Sequence, residues 1–441
     1  MTQTPVLSVG ILLRNRIEFT FHSPYQLTGT EKTFEGQHYA IYDEEGIMFE
    51  GEKFHELAFT PVHEENATFT LKDVTIGIDF HWERDEDQTF EGCLSIITEK
   101  KSLRAINKLS IEAYLRSVIS SEMSATSSMD LLKAHTVISR SWVLSQVENK
   151  KKCGATESTQ ISEGKFIKWY DRDDHIDFDV CADDHCQRYQ GITRITAPLV
   201  KEAVESTKGE VLTYDDKICD ARFSKCCGGV AEKFESCWQE ESHPYLVPFY
   251  DHANGVHSND LPADLTNEEE ATKWIMNDPE AFCNTQDKHI LQQVLNHYDQ
   301  ETADFYRWKV VYTQAEIQQL IYTKAPVDFG EIIDLIPIKR GPSGRLIELK
   351  IVGTKATMII GKELEIRKVL SNSHLYSSAF VVERTLDDNQ SIPTSFTLFG
   401  AGWGHGAGLC QIGAAVMSEE GYDYQTILNH YFRGSTLQKR Y

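Results

Sequence analysis

Hydrophobic and polar residues alternate repeatedly along the first hundred residues of the chain. Two sets show this most clearly: Ile17, Phe19 and Phe21, and Val74, Ile76, Ile78, Phe80 and Trp82. Alternation places successive side chains on opposite faces of a strand. Turns such as Glu45-Gly46 and Glu50-Gly51 separate the strands. The pattern therefore predicts an antiparallel, β-rich N-terminal region over residues 1–92.

The spacing of apolar residues then changes to that of helices. A first helix is predicted from about Ser110 to Met123, because its apolar residues recur at three and four positions. A second helix is predicted to begin after the capping pattern Ser127-x-x-Asp130 and to reach about Val147.

Residues 255–325 differ from the sequence on either side because they are acidic and carry two further helix-start patterns. These are Thr266-x-x-Glu269 and Thr313-x-x-Glu316. We predict a helical insertion or a small subdomain here.

Strands return from about Glu331 to Val382, and two helices near residues 409–420 and 427–432 close the chain. Strands and helices grouped in this way predict a mixed α+β fold.

Composition narrows the possible partners. The 441 residues carry a formal net charge of −23, which argues against nucleic acid or an anionic membrane as the main partner. No run of 18 apolar residues occurs, so no membrane-spanning helix is predicted. Apolar residues occupy alternate positions within residues 1–13, and no basic segment precedes them, so no signal peptide is visible. Either the protein is cytoplasmic or its export segment lies outside this sequence.

Glu122 is the first candidate for chemistry. It follows Leu115 by seven residues and Val118 by four, which places it on the apolar stripe of the first helix. A carboxylate there loses solvation, and this favours the protonated form that a general acid needs. The alternative is a helix-end carboxylate that reaches water or a cation. Lys133 and Arg140, seven residues apart on the second helix, are either its partners or part of a solvated face.

A second candidate is the segment His175-x5-Cys181-x4-Cys186, which supplies one imidazole and two thiols within twelve residues. Zinc accepts a Cys2His set with a fourth position for water or another ligand. Substitute donors lie nearby: Asp183, Asp184 and His185. The alternative is a Cys181–Cys186 disulfide or two free thiols.

A glycine-rich loop lies near the C-terminus, with glycine at every second position from Gly400 to Gly408. A dinucleotide-binding role is rejected because no βαβ unit follows. We predict a tight loop that presents His405 and opens the helix containing Gln411. A purely structural loop is the alternative.

Three segments together resemble the SpoIID/LytB family, the stage II sporulation protein D-like proteins that include amidase enhancers. The matching stretches are Tyr114–Met123 with Leu131–His135 and Ser139–Trp142, Thr207–Tyr214 with Phe223–Gly229, and Gly402–Ala414 with Ile427–Tyr431. Ser343-Gly-Arg345 and Ile366-Arg367 also fit. The match covers residues 93–441.

The resemblance implies a lytic transglycosylase that acts on peptidoglycan glycan strands in the cell envelope, with a cell-wall amidase as a possible partner. By motif position, Glu122 matches the catalytic glutamate, and His175, Cys181 and Cys186 match zinc ligands. It implies helices and β-hairpins around a substrate cleft. Five residues are our candidates for holding the glycan: His405, Gln411, Arg140, Ser224 and Lys133.

The chain departs from the usual family pattern at several positions. Ser124 replaces a common proline, His135 stands where glutamine is usual, and Lys225-Cys226 alters the segment before Gly228. Two other hypotheses remain open: a non-catalytic module that binds glycan and stimulates an amidase, and a structural protein with degenerate motifs.

Overall fold

The computed structural model describes residues 3–78, 83–124, 126–150, 158–169, 175–183, 185–195, 198–253, 261–294, 304–387 and 391–441. The chain divides into two compact units. Unit 1 comprises residues 1–152, 173–212 and 437–441, and unit 2 comprises residues 153–172 and 213–436.

The strands, in chain order, are β1 (Val6–Arg14), β2 (Arg16–Leu27), β3 (Thr33–Asp43), β4 (Gly46–Phe49), β5 (Glu52–Phe54), β6 (Glu56–Pro61), β7 (Thr68–Ile76), β8 (Arg84–Glu91), β9 (Cys93–Glu99), β10 (Ser102–Ser110), β11 (Thr159–Ser162), β12 (Lys165–Lys168), β13 (Val180–Cys181), β14 (Glu210–Tyr214), β15 (Lys217–Ile218), β16 (Phe223–Ser224), β17 (Arg307–Thr313), β18 (Ile332–Arg340), β19 (Leu346–Gly353), β20 (Thr357–Gly361), β21 (Phe380–Thr385), β22 (Ser395–Ala401), β23 (Leu409–Cys410) and β24 (Thr436–Lys439). The helices are α1 (Ile111–Glu122), α2 (Met129–Lys150), α3 (Pro198–Ser206), α4 (Phe234–Cys237), α5 (Glu268–Met276), α6 (Lys288–Val294), α7 (Gln314–Lys324), α8 (Glu363–Val369), α9 (Gln411–Glu419) and α10 (Tyr424–Tyr431).

An eleven-stranded sheet forms most of unit 1. Its order is β13-β1-β10-β9-β6-β2-β3-β4-β5, and β7 pairs with β2 and β8. The alternation in the sequence has its expected consequence, because Ile17, Phe19 and Phe21 of β2 are all buried. Phe59 and Phe69 join them in an aromatic core, with ring centroids 5.1 and 6.4 Å from that of Phe21.

Helix α1 begins where β10 ends. The side chain of Ser110 caps it by accepting a hydrogen bond from the amide of Ala113 at 3.2 Å. Its apolar stripe, which includes Tyr114, Leu115 and Val118, is buried. Helix α1 packs against α2 and α3.

Unit 2 contains a five-stranded sheet, β11-β12-β20-β19-β18, and a three-stranded sheet, β17-β22-β21. Helix α7 opens with the predicted capping box, in which Thr313 and Glu316 exchange hydrogen bonds. A core that includes Trp308, Ile317 and Phe396 joins the helix to the sheet.

The predicted α+β class with a β-rich N-terminal region is confirmed. The predicted boundary after residue 92 falls between β8 and β9, two strands of one sheet. The predicted insertion at 255–325 does contain α5, α6 and α7, but its β17 pairs with β22 and so belongs to a sheet of unit 2. Phe80 and Trp82 lie outside the described residues. Within the described part of the chain, we find no helix with the length and apolarity needed to cross a membrane.

Candidate functional site

Glu122 is the last residue of α1, and its side chain is half-buried. Val118 and Ile119, its neighbours on the predicted apolar stripe, are fully buried. The Oε1 atom of Glu122 accepts a hydrogen bond from the backbone amide of Arg188 at 3.3 Å. This bond fixes the orientation of the carboxyl group beside the core of unit 1.

Hydrogen bonds and ring stacking attach the segment that carries Arg188 to α1. Tyr114 donates to the side-chain oxygen of Gln187 at 3.1 Å, and the amide of Gln190 donates to the hydroxyl of Ser117 at 3.1 Å. The ring of Tyr189 stacks on that of Tyr114 with centroids 5.2 Å apart. The position of the Arg188 amide is therefore set by buried contacts on both sides of it.

Immediately before this segment, four donor side chains meet. His175, Cys181, His185 and Cys186, here called the His/Cys cluster, place one ligand atom each within 4.8 Å of one another. The Sγ atom of Cys186 lies 3.4 Å from Nε2 of His175 and 3.8 Å from Nδ1 of His185. Cys181 belongs to β13, which pairs in parallel with β1.

The His/Cys cluster fits a zinc ion. Zinc bonds of about 2.0–2.3 Å in a tetrahedron give donor–donor separations of roughly 3.3–3.8 Å. The Sγ–Nδ1 separation of 4.0 Å between Cys181 and His185 is close to that range. The amide of Cys181 also donates to the Sγ atom of Cys186 at 3.4 Å, a hydrogen bond of the kind that orients metal ligands.

The three residues proposed from sequence as zinc ligands thus lie together, and His185 supplies a fourth donor. Cys181 and Cys186 are free thiols, so no disulfide joins them. Asp183 is not part of the cluster, and Asp184 lies outside the described residues.

The position of Arg140 does not support its predicted role as a glycan contact, because its guanidinium group has no exposed surface. Its Nη2 atom pairs with Oε2 of Glu112 at 2.7 Å, and Nη1 donates to the carbonyl of Glu210 at 3.1 Å. Tyr441 donates to Oε1 of Glu112 at 2.6 Å. Arg140 therefore holds α1, α2 and the start of β14 together. Lys133, two turns earlier on the same face of α2, is half-buried.

The glycine-rich loop in unit 2 encloses Arg345. Four of its glycines have positive φ: Gly402, Gly404, Gly406 and Gly408. The fully buried Arg345 donates to the carbonyls of Gly404 and Cys227 at 3.0 and 2.9 Å. A Cβ atom on Gly406 would lie 2.4 Å from Nη1 of Arg345, so the backbone approaches the guanidinium as only glycine allows.

The other candidate glycan residues also belong to this part of unit 2. His405 is half-buried, and its Nδ1 accepts the amide proton of Ala407 at 3.1 Å. Burial lowers the pKa of His405 well below its usual range, and nearby arginines act in the same direction. The ring is therefore neutral at pH 7. Ser224 is buried, and its hydroxyl has no hydrogen-bond partner among the described residues. Gln411 is buried at the start of α9.

Two family descriptions match separate parts of the chain. "Stage II sporulation protein" (SpoIID) matches residues 99–214, and "Domain of unknown function (DUF8618)" matches residues 232–408. The first region contains Glu122 and the His/Cys cluster. The second contains Arg345 and His405.

Individual relatives have low sequence identity to this chain, but the alignments cover most of its length. Stage II sporulation protein D of Bacillus subtilis (strain 168) is 21% identical over 78% of this chain and 79% of its own length. An uncharacterised protein of Brachyspira hyodysenteriae is 25% identical over 78% of this chain and 71% of its own. The amidase enhancer of B. subtilis is 24% identical over 73% of this chain and 40% of its own. The resemblance to SpoIID/LytB proteins is confirmed.

Proposed function

We propose that this protein cleaves peptidoglycan glycan strands as a lytic transglycosylase. The match of residues 99–214 to the SpoIID family and the similarity to stage II sporulation protein D support this proposal. Glu122 is the proposed acid and then base. The observation that carries the proposal is the half-buried carboxyl group at the end of α1, oriented by the Arg188 amide.

The reaction needs one group that gives and then takes a proton. Glu122 protonates the glycosidic oxygen as the bond from that oxygen to C1 of MurNAc breaks. The C6 hydroxyl of the same sugar then bonds to C1 and gives its proton to Glu122, which closes a 1,6-anhydro ring. A hydrolytic glycosidase usually uses two carboxylates. An intramolecular nucleophile removes the need for the second.

Two opposing influences act on the Glu122 carboxyl group. The C-terminal end of α1 carries negative partial charge, which favours the protonated acid. The N–H group of Arg188 donates to the carboxyl oxygen, which favours the ionised base. The proposed reaction uses both forms of this carboxyl group.

We propose that zinc is held by His175, Cys181, His185 and Cys186. When bound, the metal supplies structural support, because four protein ligands leave no position open for substrate. Cys186 is two residues from Arg188, so an ordered cluster would fix the amide that orients Glu122.

Lys133, Ser224 and Gln411 remain our proposed glycan contacts. The Ser224 hydroxyl has no hydrogen-bond partner among the described residues, but it is buried, as Gln411 is, so both would contact a glycan only if the surrounding residues moved. In this proposal Arg140 and His405 stabilise the fold and do not bind the glycan, because their polar groups form hydrogen bonds within the protein. The family relation supports a location at the cell envelope.

The alternative is a non-catalytic glycan-binding module that stimulates a cell-wall amidase. The similarity to the amidase enhancer of B. subtilis favours it, although this chain matches only 40% of that protein.

Mass spectrometry of products from peptide-stripped glycan strands tests the proposal. Ends in 1,6-anhydro-MurNAc would support it. Reducing ends would mean hydrolysis and would require a second carboxylate. Bound but intact glycan would favour the amidase-stimulating module.

A further inference from the structure

Unit 2 contains a second group of donor side chains, unrelated to Glu122. Cys227, Asp251, Cys283 and Cys410, here called the Cys/Asp cluster, place one ligand atom each within 4.8 Å of one another. The Sγ atom of Cys227 lies 3.5 Å from that of Cys283 and 3.1 Å from Oδ2 of Asp251. All four residues are buried, with at most 3% of their surface exposed.

The four donors come from four separate segments. Cys227 lies shortly after β16, Asp251 follows the bridge between Val230 and Tyr250, Cys283 lies between α5 and α6, and Cys410 ends β23. Cys227 and Cys410 are 183 residues apart in the chain. A ligand that bound all four would join these segments inside unit 2.

Backbone amides point at the sulfur atoms. The amides of Cys227 and Gly413 donate to Sγ of Cys410 at 3.2 and 3.4 Å, and the amide of Gly229 donates to Sγ of Cys227 at 3.4 Å. Cys410 is also the N-cap of α9. Hydrogen bonds of this kind to ligand atoms are typical of the surroundings that orient metal ligands in proteins.

Two hydrogen bonds to its Oδ1 atom orient the carboxylate of Asp251, so that Oδ2 is directed toward the cluster. Its Oδ1 atom accepts hydrogen bonds from Nε2 of His430 at 2.9 Å and from the hydroxyl of Tyr431 at 3.0 Å, and both of these residues are buried. Its Oδ2 atom faces the sulfur atoms. Partners of this kind behind a carboxylate are typical of protein metal sites. Gly413 makes room for them, since a Cβ atom there would lie 2.3 Å from the Tyr431 hydroxyl.

We propose that the Cys/Asp cluster binds one thiophilic divalent cation, Zn²⁺, as a closed structural site. Three sulfur donors and one oxygen donor suit zinc, and their separations are those around a single ion. Burial of all four ligands excludes a catalytic position. Cys226 is also buried and interacts with Cys283 and Cys410, so its thiol is a further candidate donor.

The alternative to a metal site is a disulfide between two of these thiols. A bond between Cys227 and Cys283 would consume two sulfurs and leave Cys410 and Asp251 buried together. It would also give no role to the amides that point at Cys410. A cation uses all four groups and offsets their negative charge.

Metal analysis of the purified full chain tests this site, and its outcome does not depend on glycan cleavage. We expect about one zinc per chain to be lost in Cys283→Ser and retained in Cys219→Ser, a buried free thiol of unit 2 outside the cluster. The zinc of the His/Cys cluster is lost separately in Cys181→Ser. Loss of all zinc in Cys181→Ser alone would overturn the proposal.

Two measurements on the unaltered cysteines of unit 2 cover the case in which Cys283→Ser does not fold. Cobalt loaded into the Cys181→Ser variant should give intense thiolate-to-cobalt absorption with tetrahedral visible bands, and their absence would contradict the site. Thiol titration of the unfolded wild type without reductant should count all ten cysteines. A count two lower, with Cys227 and Cys283 recovered in one disulfide-linked peptide after digestion, would mean a disulfide instead.

Discussion

The backbone amide of Arg188 donates a 3.3 Å hydrogen bond to the carboxylate of Glu122, two residues beyond Cys186 of the His/Cys cluster. The proposed acid is therefore held by the same short segment that ends the proposed zinc site. Order in the cluster and orientation of the carboxyl group are physically linked.

This link predicts that Cys186→Ser affects both metal content and cleavage. The variant should lose about one zinc per chain and lose part of its glycan cleavage, because the segment carrying Arg188 loosens. Cys93→Ser, a half-buried free thiol of β9 in the same unit, is the control. Full zinc content in Cys186→Ser would contradict the assignment of this ligand.

The buried pair of Arg140 and Glu112 predicts a large stability effect. Arg140→Met leaves the Glu112 carboxylate without its cation, so the free energy of unfolding should fall by about 3–5 kcal/mol. Lys201→Met removes the exposed pair with Glu205 on α3 and should cost less than about 0.5 kcal/mol. Urea unfolding measures both. Equal effects would mean that the buried pair is not a structural link.

The approach of the glycine-rich loop to Arg345 predicts a difference between two alanine substitutions. Gly406 and Gly421 both have positive φ, but only a Cβ atom on Gly406 would clash, since Gly421 has open space around it. Gly406→Ala should therefore lower the free energy of unfolding by about 1–3 kcal/mol more than Gly421→Ala. If thermal or urea unfolding gives the same loss for both, the contact is not as close as described.

His374 predicts a pH dependence of stability. Burial, assisted by Arg367 and neighbouring lysines, lowers its pKa to about 3. The unfolded histidine titrates near 6.5. Between these values the unfolded chain binds the extra proton, so the free energy of unfolding falls as the pH falls below about 6.5. Denaturation at pH 7 and pH 5 should show a smaller difference in His374→Gln than in wild type. The exposed His289→Gln should behave like wild type.

Local patterns in the sequence predicted local structure well. Alternation predicted β2, the Thr313-x-x-Glu316 pattern marked the capping box of α7, and helical spacing placed Glu122 at the end of α1. Of the second alternating set, Val74 and Ile76 lie in β7, whereas Ile78 lies beyond its end and is exposed. His175, Cys181 and Cys186 could be grouped because they lie within twelve residues of one another. Each of these features depends on neighbours that are close in the chain.

Features that depend on distant residues could not be predicted. The pairing of β17 with β22 links Arg307 to Ala401, and the Cys/Asp cluster links residues up to 183 positions apart. Arg140 was predicted as a partner of Glu122, as part of a solvated face or as a glycan contact. Its partner Glu112 lies on another helix, and no local pattern reveals that pairing.

Counting 1,6-anhydro-MurNAc ends released from peptide-stripped glycan strands, with wild type, Glu122→Gln and Glu202→Gln compared, tests the central claim. The amide oxygen of glutamine can still accept the Arg188 proton, so the fold should survive while proton transfer is lost. Glu202→Gln makes the same change on the exposed face of α3. We predict at least a roughly 100-fold loss for Glu122→Gln and wild-type release for Glu202→Gln. Equal release by all three proteins would contradict the account.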